Sequence, residues 1–142
     1  MTTRTSSAKW NGDLKSGTGQ VTVGDDVFTG SYSFVSRFEE GDGTNPEELI
    51  AAAHAACFSM AFSGQLATAG HEPTSIRTEA TVHLEKVDDK PTVTRIVLHT
   101  VAEVPGIDEA TFQEKAETAK AGCPISRLLA AAEIELQAEL KS

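Results

Sequence analysis

The chain has 142 residues, the length of one ordinary domain, and its 39% hydrophobic and 23% charged residues can build a core, which excludes wholesale disorder. A net charge of −9 and a pI of about 4.8, with no basic cluster, make nucleic acid and anionic membrane surfaces poor partners. The longest mostly apolar run, residues 49–62, is shorter than the ~18 residues of a bilayer span, and no apolar segment follows the charge near the N-terminus, so the expectation is a soluble, cytoplasmic protein.

Taken in order, the first 40 residues carry turn signals at Asn11-Gly12-Asp13, Ser16-Gly17, Gly24-Asp25-Asp26 and Gly30. Between them lie short strand candidates around Ala8 to Trp10, Gly19 to Val23 and Ser31 to Phe38, the pattern of an antiparallel meander with Trp10 as a core anchor. A helix follows. Asn45 is its N-cap, Pro46 suits the first helical position, Glu48 sits third as in a capping box, and Gly70 provides the stop after about Ala69. Eight of the twenty residues from 51 to 70 are alanine, and the helix is apolar on nearly every side, so it belongs at a buried centre. Ile76, Thr78, Ala80, Val82 and Leu84 then alternate with polar residues, the turn Asp88-Asp89-Lys90-Pro91 follows, and Thr92 to Val104 reads as the hairpin partner. A second helix is expected from about Asp108 to Ala121, ending at Gly122, then a short helical turn over Pro124 to Ala131. The last strand carries Ile134, Leu136, Ala138 and Leu140 at an edge. The order of elements predicts an α+β fold in a single domain over residues 1–142.

Two side-chain types carry candidate chemistry. Cys57 lies mid-helix among small residues and reads either as a buried inert thiol or as a reactive one. Cys123, between Gly122 and Pro124, falls at or near the start of the short helix, where free amides favour a thiolate. Together they form the minimum kit for a reversible dithiol couple. His54 and Cys57 share a helical face, which fits a thiolate–imidazolium pair or half of a metal site; a core histidine with one satisfied nitrogen is the simpler alternative. His71, His83 and His99 are scattered and there is no C-x-x-C, so no metal is expected.

Gly43-Thr44-Asn45-Pro46-Glu47-Glu48-Leu49-Ile50, Ala52-Ala53-His54-Ala55-Ala56-Cys57-Phe58-Ser59-Met60 and Lys120-Ala121-Gly122-Cys123-Pro124-Ile125-Ser126 resemble the motifs of the OsmC/Ohr family of thiol-dependent peroxidases. Trp10-Asn11-Gly12, Ser36-Arg37-Phe38 and Val104-Pro105-Gly106-Ile107 match in order and spacing, and the resemblance, closer to the OsmC branch, spans almost the whole chain. It implies antiparallel sheets around a central buried helix, an intertwined homodimer, and thiol-dependent reduction of hydroperoxides, organic ones preferred. Carried over, Cys57 is the peroxidatic cysteine, Cys123 the resolving one, Arg37 the arginine beside the peroxidatic sulfur and Glu48 the carboxylate holding that arginine. No cofactor is implied. The implied partners are a small hydroperoxide and a dithiol reductant, a lipoyl-bearing protein.

Those roles have a physical logic. Thiolate attack on a peroxide requires an ionised Cys57, burial opposes ionisation, and a permanently charged arginine opposes burial while stabilising the departing alkoxide. Glu48 and Cys57 are nine positions apart, about half a turn out of phase and about 13 Å along a helix, which predicts a site shared between two chains. Two alternatives stand beside the peroxidase: a non-catalytic binding module for an apolar ligand, and a redox-sensing or metal-binding protein using His54 and Cys57.

Overall fold

The computed structural model describes residues 2–141, in two compact units divided along the chain between Leu49 and Ile50. The first unit opens with an antiparallel sheet of β1 (Ser7–Asn11), β2 (Thr18–Val23) and β3 (Phe28–Tyr32) in that order. Trp10 clamps the first turn: its indole N–H donates to the carbonyls of Gly12 and Asp13 at 3.1 and 3.2 Å, and its ring lies 5.5 Å from that of Tyr32. It is half-buried, a turn clamp where a core anchor was expected.

The strand expected from Ser31 to Phe38 stops at Tyr32. The Ser33 hydroxyl accepts from the Ser36 N–H at 3.1 Å and the Ser36 hydroxyl from the Ser33 N–H at 2.8 Å, a reciprocal cap that starts the short helix α1 (Phe34–Phe38). Strand and helix are hard to separate because Ser33, the N-cap of α1, also continues the apolar–polar alternation between Tyr32 and Phe34.

Helix α2 (Pro46–Thr68) follows, with Asn45 Oδ1 accepting the Glu48 N–H at 2.8 Å. Its stop is the expected one. Gly70 adopts φ +89°, and the Gly70 and His71 N–H groups close back on the Ala67 and Leu66 carbonyls, both at 2.9 Å. By length and composition alone α2 would pass as a membrane span. Within one chain only part of its surface is enclosed. The residues it buries are His54, Phe58, Phe62 and Leu66, one stripe at four-residue spacing, while Met60 is 78% exposed.

In the second unit, β4 (Ser75–Val87) and β5 (Lys90–Glu103) form the antiparallel hairpin, turning through Asp88 and Asp89 at φ +52° and +62°. Helices α3 (Glu109–Gly122), capped by Asp108, and α4 (Pro124–Leu128) precede β6 (Glu133–Lys141). β6 sits at the sheet edge as expected, but it runs parallel to β5, pairing Leu98 with Leu136, so this sheet is mixed rather than antiparallel. The helical crossover between the two strands is long enough for a parallel return, and side-chain alternation is the same in either direction. The α+β reading stands. The core packs Phe58, Phe62 and Leu66 against Leu98, Ala102, Phe112 and Ala116, with the Phe62 and Phe112 rings edge-on at 5.3 Å.

Candidate active site

Cys57 projects from the middle of α2, and Cys123 stands at the N-cap position of α4 after α3 ends at Gly122. The fold brings two residues 66 positions apart to a sulfur–sulfur distance of 2.7 Å, sharing one hydrogen bond, with both thiols free. Their environments differ. Cys57 is partly exposed and Cys123 is completely buried. Burial pushes the Cys57 thiol above its ordinary range, and the adjacent Cys123 sulfur adds to the push. Burial also opposes ionisation of Cys123, but its neighbours Cys57, Ser126 and Ile125 outweigh it and hold that thiol below its ordinary value.

His54 stands one turn before Cys57 on α2 and is fully buried. Its Nε2 lies 2.7 Å from the Ser126 hydroxyl, and burial alone lowers its pKa, which keeps the ring neutral. Its polar partner is thus a serine on α4.

Arg37, at the end of α1, makes a two-pronged ion pair. Its Nε and Nη2 donate to the two carboxylate oxygens of Glu47 at 3.0 Å each, and the guanidinium lies 5.1 Å from the centre of the Phe38 ring. Neither of these bonds uses Nη1. The carboxylate that holds Arg37 is Glu47, which corrects the assignment of that role to Glu48. At the third helical position Glu48 is engaged locally: its N–H is capped by Asn45 and its carboxylate accepts from the Thr44 hydroxyl at 3.2 Å. One position earlier, Glu47 points away from the cap and is free to meet α1. The capping pattern read from the sequence already contained that signal, because a glutamate used by the cap is the wrong one to assign elsewhere. Ser126 was missed as well, although it lies inside the second cysteine motif at helical spacing from Cys123. The structure joins Cys57 to Cys123 in the second unit; Arg37 and Glu48 both lie in the first.

Residues 39–139 match the sequence profile of OsmC-like proteins. The chain belongs to the OsmC family. It is 53% identical over 136 residues to the peroxiredoxin OsmC of Escherichia coli (strain K12), covering 95% of this chain and 94% of that protein. An organic hydroperoxide resistance protein of Xanthomonas axonopodis pv. citri is 36% identical over 87 residues, 61% of this chain and 59% of that one. In fold, it superimposes with a TM-score of 0.79 on an organic hydroperoxide resistance protein of Elizabethkingia anophelis, 23% identical, with 99% of each chain covered.

Proposed function

We propose that this OsmC-family chain is a thiol-dependent peroxidase that reduces hydroperoxides, organic ones foremost, through a Cys57 sulfenate and a Cys57–Cys123 disulfide. The observation that carries the reading is the pair of free sulfurs 2.7 Å apart, of which Cys57 alone reaches the surface. Access assigns the roles. The Cys57 thiolate attacks the terminal peroxide oxygen, the O–O bond breaks, an S–O bond forms, and the alkoxide leaves and takes a proton to become the alcohol. Cys123 then displaces hydroxide from the sulfenate, giving the disulfide and water. An external dithiol returns both thiols; the family resemblance makes a lipoyl-bearing protein the candidate.

Ionising Cys57 needs a cation, because burial and Cys123 both oppose it. Arg37, fixed by Glu47, is the cation we assign, and it also meets the charge growing on the alkoxide. Glu47 and Cys57 are ten positions apart, about 15 Å along a helix, so the pair would serve Cys57 of a second copy in a homodimer. The alanine-rich face of α2 that one chain leaves exposed, with Met60 on the same helix, supports such a dimer. The unpaired thiols favour a reducing, cytoplasmic setting. The binding-module and redox-sensing alternatives are not favoured by relatives named as a peroxiredoxin and an organic hydroperoxide resistance protein.

The test is thiol titration after cumene hydroperoxide. Wild-type protein should lose both thiols to one intramolecular disulfide. Cys57→Ser should consume no peroxide, and Cys123→Ser should turn over once and leave a sulfenate that dimedone traps. Two thiols remaining in the treated wild-type chain would refute the reading.

A further inference from the structure

A second link joins the two segments that carry the cysteines, all of it within the second unit. His54 and Cys57 stand three positions apart on α2, and Cys123 and Ser126 three apart across the start of α4. The links run in register. The Cys123 thiol donates to the Cys57 sulfur at 2.7 Å, and His54 Nε2 and Ser126 Oγ are hydrogen-bonded at 2.7 Å. Among the described residues no other side chain of α4 or its N-cap is hydrogen-bonded to another element. Cys123 makes no side-chain capping bond and α4 is five residues long, so the turn that carries it depends on ties from outside. On its other flank α2 is tied to the sheet. Ser59, two residues beyond Cys57, donates to the Thr78 hydroxyl of β4 at 2.8 Å, and Thr78 pairs with buried Thr100 of β5 at 3.0 Å.

The link from α2 to α4 is buried at both ends, His54 at 0% and Ser126 at 3% exposure. His54 Nδ1 has no hydrogen-bond partner among the described residues, so the imidazole costs stability that an apolar side chain of its shape would not. What it supplies is position. We propose that the His54–Ser126 bond is a clamp that keeps Cys123 against Cys57 through the life of the sulfenate, so that condensation outruns a second oxidation. His54 and Ser126 are positioning residues in this role. The inference rests on the peroxidase reading and names the residues that protect its intermediate.

The competition follows from access. Cys57 is partly exposed, so a second hydroperoxide reaches its sulfenate from solvent, whereas fully buried Cys123 reaches it from within the fold. In the first route the sulfenate sulfur attacks the terminal peroxide oxygen and the O–O bond breaks. The products are a sulfinic acid and the alcohol, and a dithiol does not reverse that step. In the second route the Cys123 sulfur forms the S–S bond, the Cys57 S–O bond breaks, and the thiol proton leaves with the oxygen as water. Cys123 is oxidised as the Cys57 sulfur is reduced. This second route is unimolecular, so its rate depends on the fraction of time that Cys123 is in place.

Both fates start from the same sulfenate, so their ratio does not depend on how fast the sulfenate forms. The full-length reduced protein is mixed with rising concentrations of cumene hydroperoxide, and intact mass separates disulfide from sulfinate. One intramolecular hydrogen bond shifts a population about fivefold. The peroxide concentration that sends half of the chains to sulfinate should therefore fall about fivefold in Ser126→Ala and in His54→Phe. In the double variant it should fall no further, because each substitution removes the same bond. Ser126→Thr, which keeps the hydroxyl, and His54→Gln, with an amide near the Nε2 position, should stay close to wild type. Should His54→Phe fail to fold, the alanine and threonine variants at 126 decide the matter. An unchanged half-point in Ser126→Ala, or losses that multiply in the double variant, would overturn the clamp. A wild-type chain that yields neither disulfide nor sulfinate would instead overturn the peroxidase reading.

Discussion

At the level of single residues, the informative contrast is between two adjacent glutamates. Glu47 holds Arg37 through both carboxylate oxygens, and Glu48 is used by the helix cap. Arg37→Lys should therefore slow the peroxide step by ~10-fold or more, about 1.4 kcal/mol of transition-state stabilisation, because an ammonium cannot reproduce the fork. Glu47→Ala should fall in the same range by releasing the guanidinium, with Glu48→Ala within about twofold of wild type. Single-turnover kinetics with cumene hydroperoxide across the three variants checks the ranking, and a larger loss for Glu48→Ala than for Glu47→Ala would return the role to Glu48. The two cysteines were legible in the sequence because each sits in a motif whose helix punctuation is local. The partner of Arg37 was not, since choosing between neighbouring carboxylates depends on which one the cap has already taken. Ser126 was hidden for a related reason: a serine three residues after a cysteine acquires its meaning from His54, 72 positions away.

For the elements, local signals carried far and pairing did not. Asn45, Pro46 and Gly70 bounded α2 closely, because caps act within a turn. The direction of β6 was invisible, since a half-buried strand shows the same period whether its neighbour runs parallel or antiparallel. The fully apolar look of α2 overstated its burial in one chain, where His54, Phe58, Phe62 and Leu66 alone form the enclosed stripe. That stripe has a pH consequence. Burial depresses the pKa of His54 below its ordinary 6.5, so between the folded and unfolded values the unfolded chain binds more protons. Stability should be retained above about pH 6.5 and lost as the pH falls through that window. Urea unfolding at pH 7.5 and 5.5 should show a smaller acid-side loss for His54→Gln than for wild type. Parallel losses in the two proteins would mean that His54 does not report on acid stability.

On the scale of the whole molecule, the open matter is where the cation for Cys57 comes from. The argument from helical phase changes once Glu47 replaces Glu48. Nine positions put the two side chains half a turn apart, whereas ten put them about 80° short of a full turn, so facing away no longer separates them. The axial distance does. Ten positions make about 15 Å of rise, more than a glutamate and its bound arginine fork would bridge along one helix. A two-fold axis that sets two copies of α2 side by side would bring Arg37 and Glu47 of one chain to Cys57 of the other and create two equivalent sites. Each unit leaves apolar side chains exposed, Phe28, Val35 and Phe38 in the first and Met60 in the second, for such a partner to cover. Mixing Glu47→Ala chains with Cys57→Ser chains separates the alternatives, once subunit exchange has been verified by mass. In a shared site, Cys57 of the Glu47→Ala chain is served by the intact Arg37 and Glu47 of its partner, and each hybrid dimer should regain about half of the wild-type first-turnover rate. In a site built within one chain, that Cys57 keeps its own damaged arginine clamp and the hybrids gain nothing. Verified hybrids that remain as slow as the Glu47→Ala parent would remove the second chain from the chemistry.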